Sequence, residues 1–313
     1  MLALILAGCR ATVNFPLISA TQALQEQVIE GEGKDKILLI NISGFISSKK
    51  QSLSLLSKGP SLQEEIREAL QKAEADHAIG GVVLRINSPG GTITSTDIVY
   101  HEIMRFKKKR NIRIVASMMD VAASGGYYIA MAADEIVAHP TTITGSIGVI
   151  ALKFNVEGLM ERLGIRNETV KSVEMKDLWS PFRASTKEER EIIQAIIDRQ
   201  HDIFIDAIKR GRKSLTEKDI ERLADGRIYS ADQALEAGLI DRISYLDDTI
   251  ESLKRYLNLE KATIITYRRP GTYSGTIYSG TSSPSPRIAN VLSIGDKAWI
   301  SEAGIHFMYL WMP

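Results

Sequence analysis

The chain has 313 residues, 44% of them hydrophobic and 25% charged, with a formal net charge of +1. That length and apolar content suffice for one large core or two modest ones, and the charge balance supplies no basic face of the kind nucleic acid requires. The single cysteine, Cys9, excludes an internal disulfide framework and a thiolate metal cluster, while His77, His101, His139, His201 and His306 show no metal-ligand spacing. No metal, nucleotide or other cofactor is therefore expected.

The first eight residues, Met1-Leu2-Ala3-Leu4-Ile5-Leu6-Ala7-Gly8, form an apolar run ending at Cys9. It is too short to span a bilayer, and no lysine or arginine precedes it. Leu6-Ala7-Gly8-Cys9 resembles the lipobox of bacterial lipoproteins, which implies lipid attachment at Cys9 and an extracytoplasmic body tethered to the membrane. A polar stretch over 22–35 follows, then a strand over 37–42 and a capped amphipathic helix over 61–75. The next strand, 81–87, runs into Ser88-Pro89-Gly90-Gly91, a sharp turn with permissive dihedrals. A helix over 95–109 ends in Lys107-Lys108-Lys109-Arg110, cations suited to a helix C-terminus. A branched apolar strand at 112–118 and a short helix at 127–133 flank Ser124, and a strand at 135–138 follows. Alternation of strand and helix at this spacing predicts an α/β fold with mostly parallel strands, its catalytic groups on the turns leaving the strands.

Further on, 141–150 reads as a small-residue loop entering a strand and 171–186 as a polar irregular segment. A long charged helix is expected over 187–213, with short helices over 216–223 and 230–237, the last closed by Gly238. Residues 271–286 have linker composition. The tail 299–313 is apolar, with Phe307, Tyr309 and Trp311 alternating; it predicts a packed edge strand, with a neighbour or the membrane as alternative contacts. No internal repeat is visible.

Ser124 stands at a strand-to-helix junction among small residues, Ala122-Ala123-Ser124-Gly125-Gly126. Free backbone N–H groups at a helix start favour an oxyanion there, so Ser124 is a candidate nucleophile; an ordinary N-cap serine is the alternative. A serine hydroxyl needs a base. His139 lies close in sequence but has no convincing acidic partner among Asp120, Asp134 and Glu135. Lys176 and Lys171 are the other candidates. A lysine serves only if its pKa falls from about 10.4 toward roughly 7 to 8 by desolvation, and Met175, Leu178 and Trp179 flank Lys176.

Four blocks carry a family resemblance: Leu84-Arg85-Ile86-Asn87-Ser88-Pro89-Gly90-Gly91, Ala122-Ala123-Ser124-Gly125-Gly126-Tyr127-Tyr128, Thr144-Gly145-Ser146-Ile147-Gly148-Val149-Ile150 and Lys176-Asp177-Leu178-Trp179-Ser180-Pro181. In this order and spacing they resemble the signal peptide peptidase A family of Ser/Lys-dyad serine peptidases, in its short single-repeat form. The resemblance implies a ClpP/crotonase-like fold of repeated ββα units with a long helical extension. It also implies Ser124 as nucleophile, Lys176 as general base, and the Gly91 N–H in the oxyanion hole with a donor near the serine. Peptide substrates such as cleaved signal peptides, and ring-like homo-oligomers whose subunit interfaces help build the sites, are expected on the same ground. The chain then divides into a lipoprotein-type signal (1–9), a linker (10–35), a peptidase domain (36–258) and a C-terminal extension (259–313). The sequence departs from the family's pattern in the lipobox, where many relatives carry a membrane-spanning helix, and from about Arg268 onward, where no family motif is found. An acyl-CoA enzyme of the crotonase kind and a catalytically inactive peptide-binding scaffold are the competing readings.

Overall fold

The computed structural model describes residues 23–49, 59–270, 275–279 and 307–312. Cys9, and with it the expected lipid-attachment site, lies outside the described residues. The strands are β1 (Gln25–Gly31), β2 (Lys36–Ser43), β3 (Ile79–Ser88), β4 (Gly90–Thr92), β5 (Arg113–Ala123), β6 (Glu135–Ala138), β7 (Ile143–Gly145), β8 (Ile150–Ala151), β9 (Ile228–Ser230), β10 (Arg242–Ile243), β11 (Thr263–Arg268) and β12 (Phe307–Leu310). The helices are α1 (Leu62–Ala75), α2 (Ile93–Arg110), α3 (Gly125–Ala130), α4 (Glu157–Arg162), α5 (Lys187–Gly211), α6 (Glu217–Leu223), α7 (Ala231–Glu236) and α8 (Leu246–Tyr256), with a 3-10 turn at Glu174–Asp177.

The main sheet runs β1-β11-β2-β3-β5-β6-β10, and β7 branches off the far end of β5 to pair with β9. From β11 to β10 every neighbouring pair is parallel, the mixed α/β class that the alternation of elements predicts. Parallel strands are covered on both faces, so successive residues enter two different cores. Leu38, Ile40 and Ile42 of β2 join the larger core with α1, α2, α3 and α5, whereas Ile37 and Leu39 join the smaller one under α8. Capping boxes fix where helices begin: Ser61 with Glu64 and Thr186 with Glu189 each exchange two hydrogen bonds.

The sheet reaches past the boundaries expected at 36 and 258. β1, from the stretch read as linker, pairs antiparallel with β11, from the stretch read as extension. β1 is mostly exposed, with Ile29 half-buried against the smaller core and Val28 exposed, so it shows little of the apolar alternation that marks a strand. The helix expected over 230–237 is α7, with Ser230 as its N-cap, and the residues just before it, which carry no expectation, form β9. Gly90–Thr92, expected as a turn, is a short strand in a second sheet, β4-β12-β8, whose middle strand is the apolar tail.

Two arginines are buried at the edge of the smaller core. Arg85 on β3 donates to Asn41 Oδ1 (2.9 Å), to the Ile277 carbonyl and to the Ser279 carbonyl (2.6 Å), and Arg268 on β11 donates to that last carbonyl as well (2.9 Å). Burial, with the nearby Arg268 charge second, pulls the Arg85 pKa down to about 10.

Candidate active site

The site forms where β3 and β5 end side by side. Asn87 links the two ends, donating to Asp120 Oδ2 (2.9 Å) and accepting from the Val121 N–H (3.1 Å). Ser88 fixes the turn that follows: its hydroxyl donates to the Gly44 carbonyl (2.6 Å) and accepts from the Gly90 N–H (3.1 Å).

Ser124 follows β5 directly. Its N–H donates to the Gly145 carbonyl on β7 (2.7 Å), and its carbonyl accepts from Tyr128 N–H (2.8 Å), which starts α3. Pinned on both sides, the residue adopts φ 52° and ψ −114°, a strained backbone for a non-glycine residue. The side chain makes no cap hydrogen bond, so the N-cap alternative finds no support. Ser124 is 1% exposed, and its Oγ has no hydrogen-bond partner among the described residues. A buried hydroxyl left unpaired in a strained turn costs stability.

Gly91 lies across from it on β4. The Gly90 carbonyl and the Thr92 N–H are both bonded to Ile46 (2.9 Å each), so the N–H and C=O of Gly91 face the opposite edge. A side chain fits here only if the strand moves, since a Cβ on Gly91 would lie 1.9 Å from the Ile46 carbonyl oxygen. Gly90, at φ +108°, is equally constrained: its Cβ would approach the Gly125 nitrogen to 2.8 Å. The amide after the serine thus closes on the glycine strand. Gly125 is a donor that the sequence reading left unnamed, although the position following a nucleophile at a strand-to-helix turn is where such donors recur.

The candidate bases fare differently. His139 Nδ1 is engaged with Thr141 Oγ1 (2.9 Å), its ring packs edge-on against Tyr245 (4.9 Å), and it has no hydrogen bond to Ser124. Lys171 bonds Glu174 and Asp177, which hold its ammonium more firmly protonated than usual and unsuited to act as a base. Lys176 sits on the 3-10 turn, exposed, with no ion pair and no hydrogen bond to Ser124 among the described residues. The flanking apolar residues do not enclose it. Lys153, not singled out from sequence, donates to the Arg183 carbonyl and Ser185 Oγ, and burial lowers its pKa.

Lys176 belongs to a stretch, 150–188, without one buried residue. It carries Phe154, Leu159, Leu163, Ile165, Val170, Val173 and Phe182 in exposed positions. The 3-10 turn is nonetheless tied to α5, because Arg183 donates to Asp177 Oδ1 and Oδ2 (2.8 Å each) and to Glu189. Among the described residues no group of His, Cys, Asp and Glu is arranged to hold a metal ion, and no helix is long and apolar enough to cross a membrane.

Comparison with known proteins gives the family. The model of peptidase family S49 matches residues 106–260. A putative signal peptide peptidase SppA of Enterococcus faecium is 36% identical over 260 residues, spanning 83% of this chain and 75% of the relative. The chloroplastic serine protease SPPA of Arabidopsis thaliana is 33% identical over 255 residues, 80% of this chain and 37% of that protein. A solved complex of the 1510-N membrane-bound stomatin-specific protease with a substrate peptide covers 70% of this chain and 80% of its own, with 17% identity and a TM-score of 0.46. With its ClpP/crotonase-like mixed α/β fold and largely parallel sheet, the chain is a serine peptidase belonging to peptidase family S49.

Proposed function

We propose that the protein is an endopeptidase working through a Ser124/Lys176 dyad, with Lys176 supplied by a neighbouring copy of the same chain. The observation that carries this reading is the buried, unpartnered Ser124 Oγ held in a strained turn beside the Gly91 and Gly125 amides. Ser124 attacks the peptide carbonyl, and the oxyanion falls to those two donors. Lysine takes the hydroxyl proton, returns it to the leaving amine, and then activates the water that frees the acyl-enzyme. Inside one chain the lysine side chain lies exposed, with nothing apolar packed around it. A homo-oligomer answers both difficulties at once, since burying the apolar face of 150–188 against a second copy would dry the lysine as it delivers it. The physiological substrates of this reading are extended apolar peptides such as remnant signal peptides, met at a bacterial envelope where Cys9 carries a lipid anchor; the apolar run ending at that cysteine supports the anchor.

Intact-mass analysis after reaction with a peptide-like acylating inhibitor tests the nucleophile: one adduct is expected on wild type and none on Ser124→Ala. His139→Ala should keep most of the peptidase activity, because its ring serves Thr141 and Tyr245; a loss beyond tenfold would revive a histidine base.

Arg183→Ala is expected to lower kcat/KM roughly 10- to 100-fold by loosening the turn that carries Lys176, with little change in circular dichroism. The same network sets an acid limit. Hydrogen bonds from Arg183 and then Lys171 hold the Asp177 carboxyl well below the usual range, and Arg183 lowers that of Glu189. For carboxyls depressed in the folded state, the stabilisation is complete above roughly pH 5 and fades as pH falls through their lower folded values. Thermal melts between pH 7 and 3 should therefore draw closer for wild type and Arg183→Ala toward the acid end without meeting, since the depressed Asp177 carboxyl still stabilises the fold at pH 3.

A further inference from the structure

Among the described residues two buried hydroxyls have no hydrogen-bond partner, those of Ser124 and Thr96. They flank the same amide. Ser124 precedes Gly125 in the chain, and Thr96, in the first turn of α2, holds its Oγ1 2.9 Å from where a Cβ on Gly125 would stand. The Gly90 Cα closes on that position from another side at 3.1 Å. Covalent geometry sets the position about 2.5 Å from the Gly125 nitrogen, so the Thr96 hydroxyl is within about 5.5 Å of that nitrogen, close enough for one oxygen atom to accept from both.

Ser124 has a chemical reason to stay unpaired, since its oxygen must be free to attack. Thr96 has none inside the resting chain. A helical threonine can bond a carbonyl one turn back, yet Thr96, fully buried, forgoes that bond and bears the cost of a desolvated hydroxyl. Two neighbours indicate what it is kept for. α2 starts two residues after Gly91, and its first turn has neither a side-chain cap nor an acidic residue, so the positive end of the helix stands uncompensated beside the Gly91 amide. A neutral carbonyl oxygen, that of Tyr309, rests 3.1 Å from the same Gly125 position, and Thr96 makes no bond to it. An oxygen that shifts as its carbon becomes tetrahedral, and takes up negative charge as it does so, is the stronger acceptor.

We propose that Thr96 is a further catalytic residue, its O–H a third donor to the oxyanion beside the Gly91 and Gly125 amides, engaged in the transition state and idle before it. The proposal rests on the Ser124 peptidase reading and adds a side chain to a hole otherwise made of backbone. As the bond from Ser124 Oγ to the carbonyl carbon forms, the carbonyl π pair moves onto oxygen and the serine proton goes to the lysine. Thr96 keeps its own proton and only donates a hydrogen bond. When the pair returns, the C–N bond breaks, the amine leaves with the lysine's proton, and the Thr96 bond is released. Binding energy that appears only at this stage raises kcat and leaves KM alone.

The test compares the full chain as wild type, Thr96→Val, which keeps the branched shape without the hydroxyl, and Thr96→Ser, which keeps the hydroxyl. Each is assayed on one extended apolar peptide and, separately, for the rate at which a small acylating probe labels Ser124. Expected for Thr96→Val is a loss of roughly 100-fold in kcat with KM unchanged, a matching loss in labelling rate, and a melting temperature equal to or above that of wild type. Thr96→Ser should retain most of the wild-type kcat. An unchanged kcat in Thr96→Val, an effect on KM alone, equal losses in the Val and Ser variants, or a loss accompanied by a lower melting temperature overturns the assignment and leaves the peptidase reading intact. If wild type cuts no peptide but its Ser124 is labelled, the labelling rates decide, and equal rates in wild type and Thr96→Val overturn the assignment alone. If Ser124 of wild type is not labelled, the peptidase reading falls and takes the assignment with it.

Discussion

Ser124→Ala and Lys176→Ala are each expected to lose peptidase activity by on the order of 10^4-fold or more, since a nucleophile and its base act as one unit. Mixing the two dead proteins is the more telling measurement. If lysine comes from a neighbour, random co-assembly of equal amounts leaves about a quarter of the sites with both groups intact, and activity returns toward that fraction of wild type. With the lysine acting inside its own chain, no mixture regains activity. Stability should move the other way from activity. The Ser124 Oγ is buried without a partner, so removing it relieves a desolvated hydroxyl, and the melting temperature of Ser124→Ala is expected to equal or exceed that of wild type. A drop of several degrees would instead show that the hydroxyl serves the fold.

Gly91→Ala carries the second large effect. Its Cβ would sit 1.9 Å from the Ile46 carbonyl oxygen, closer than any real contact, so β4 must move away from Ile46. The N–H of Gly91 moves with it. Losing one preorganised oxyanion donor typically costs about 10^2- to 10^3-fold in kcat, or roughly 3 to 4 kcal/mol of transition-state stabilisation. Forcing the strand aside adds about 1 to 3 kcal/mol of lost folding stability. The check is kcat/KM together with a denaturant melt. An unchanged kcat/KM in a folded Gly91→Ala protein would remove this amide from the oxyanion hole.

The fold's central part was legible because its signals are local. Ser61 with Glu64 and Thr186 with Glu189 announce their helices, and the branched apolar runs of β2, β3 and β5 announce strands buried on both faces. β1 was not legible, since an exposed edge strand shows little apolar alternation. At the site, Gly90, Gly91 and Ser124 stand out as small or strained positions leaving strands. Gly125 did not, because its contribution is a backbone N–H that any residue would carry. The alternation of Phe307, Tyr309 and Trp311 spelled a strand but held no address; only the pairing of Tyr309 with Gly91 supplies one. Lys176 is the reverse case, a residue that a motif names but that the single chain leaves exposed.

The carbonyls of Ile277 and Ser279 accept hydrogen bonds from the buried Arg85 guanidinium. This sets where the chain tolerates shortening. Ending it after Ser279 removes the tail strand and empties the cleft, yet keeps both guanidinium groups satisfied. An end before Ile277 strands a cation inside the sheet, and the expected result is a protein that is insoluble when expressed, for a reason unrelated to its catalytic groups.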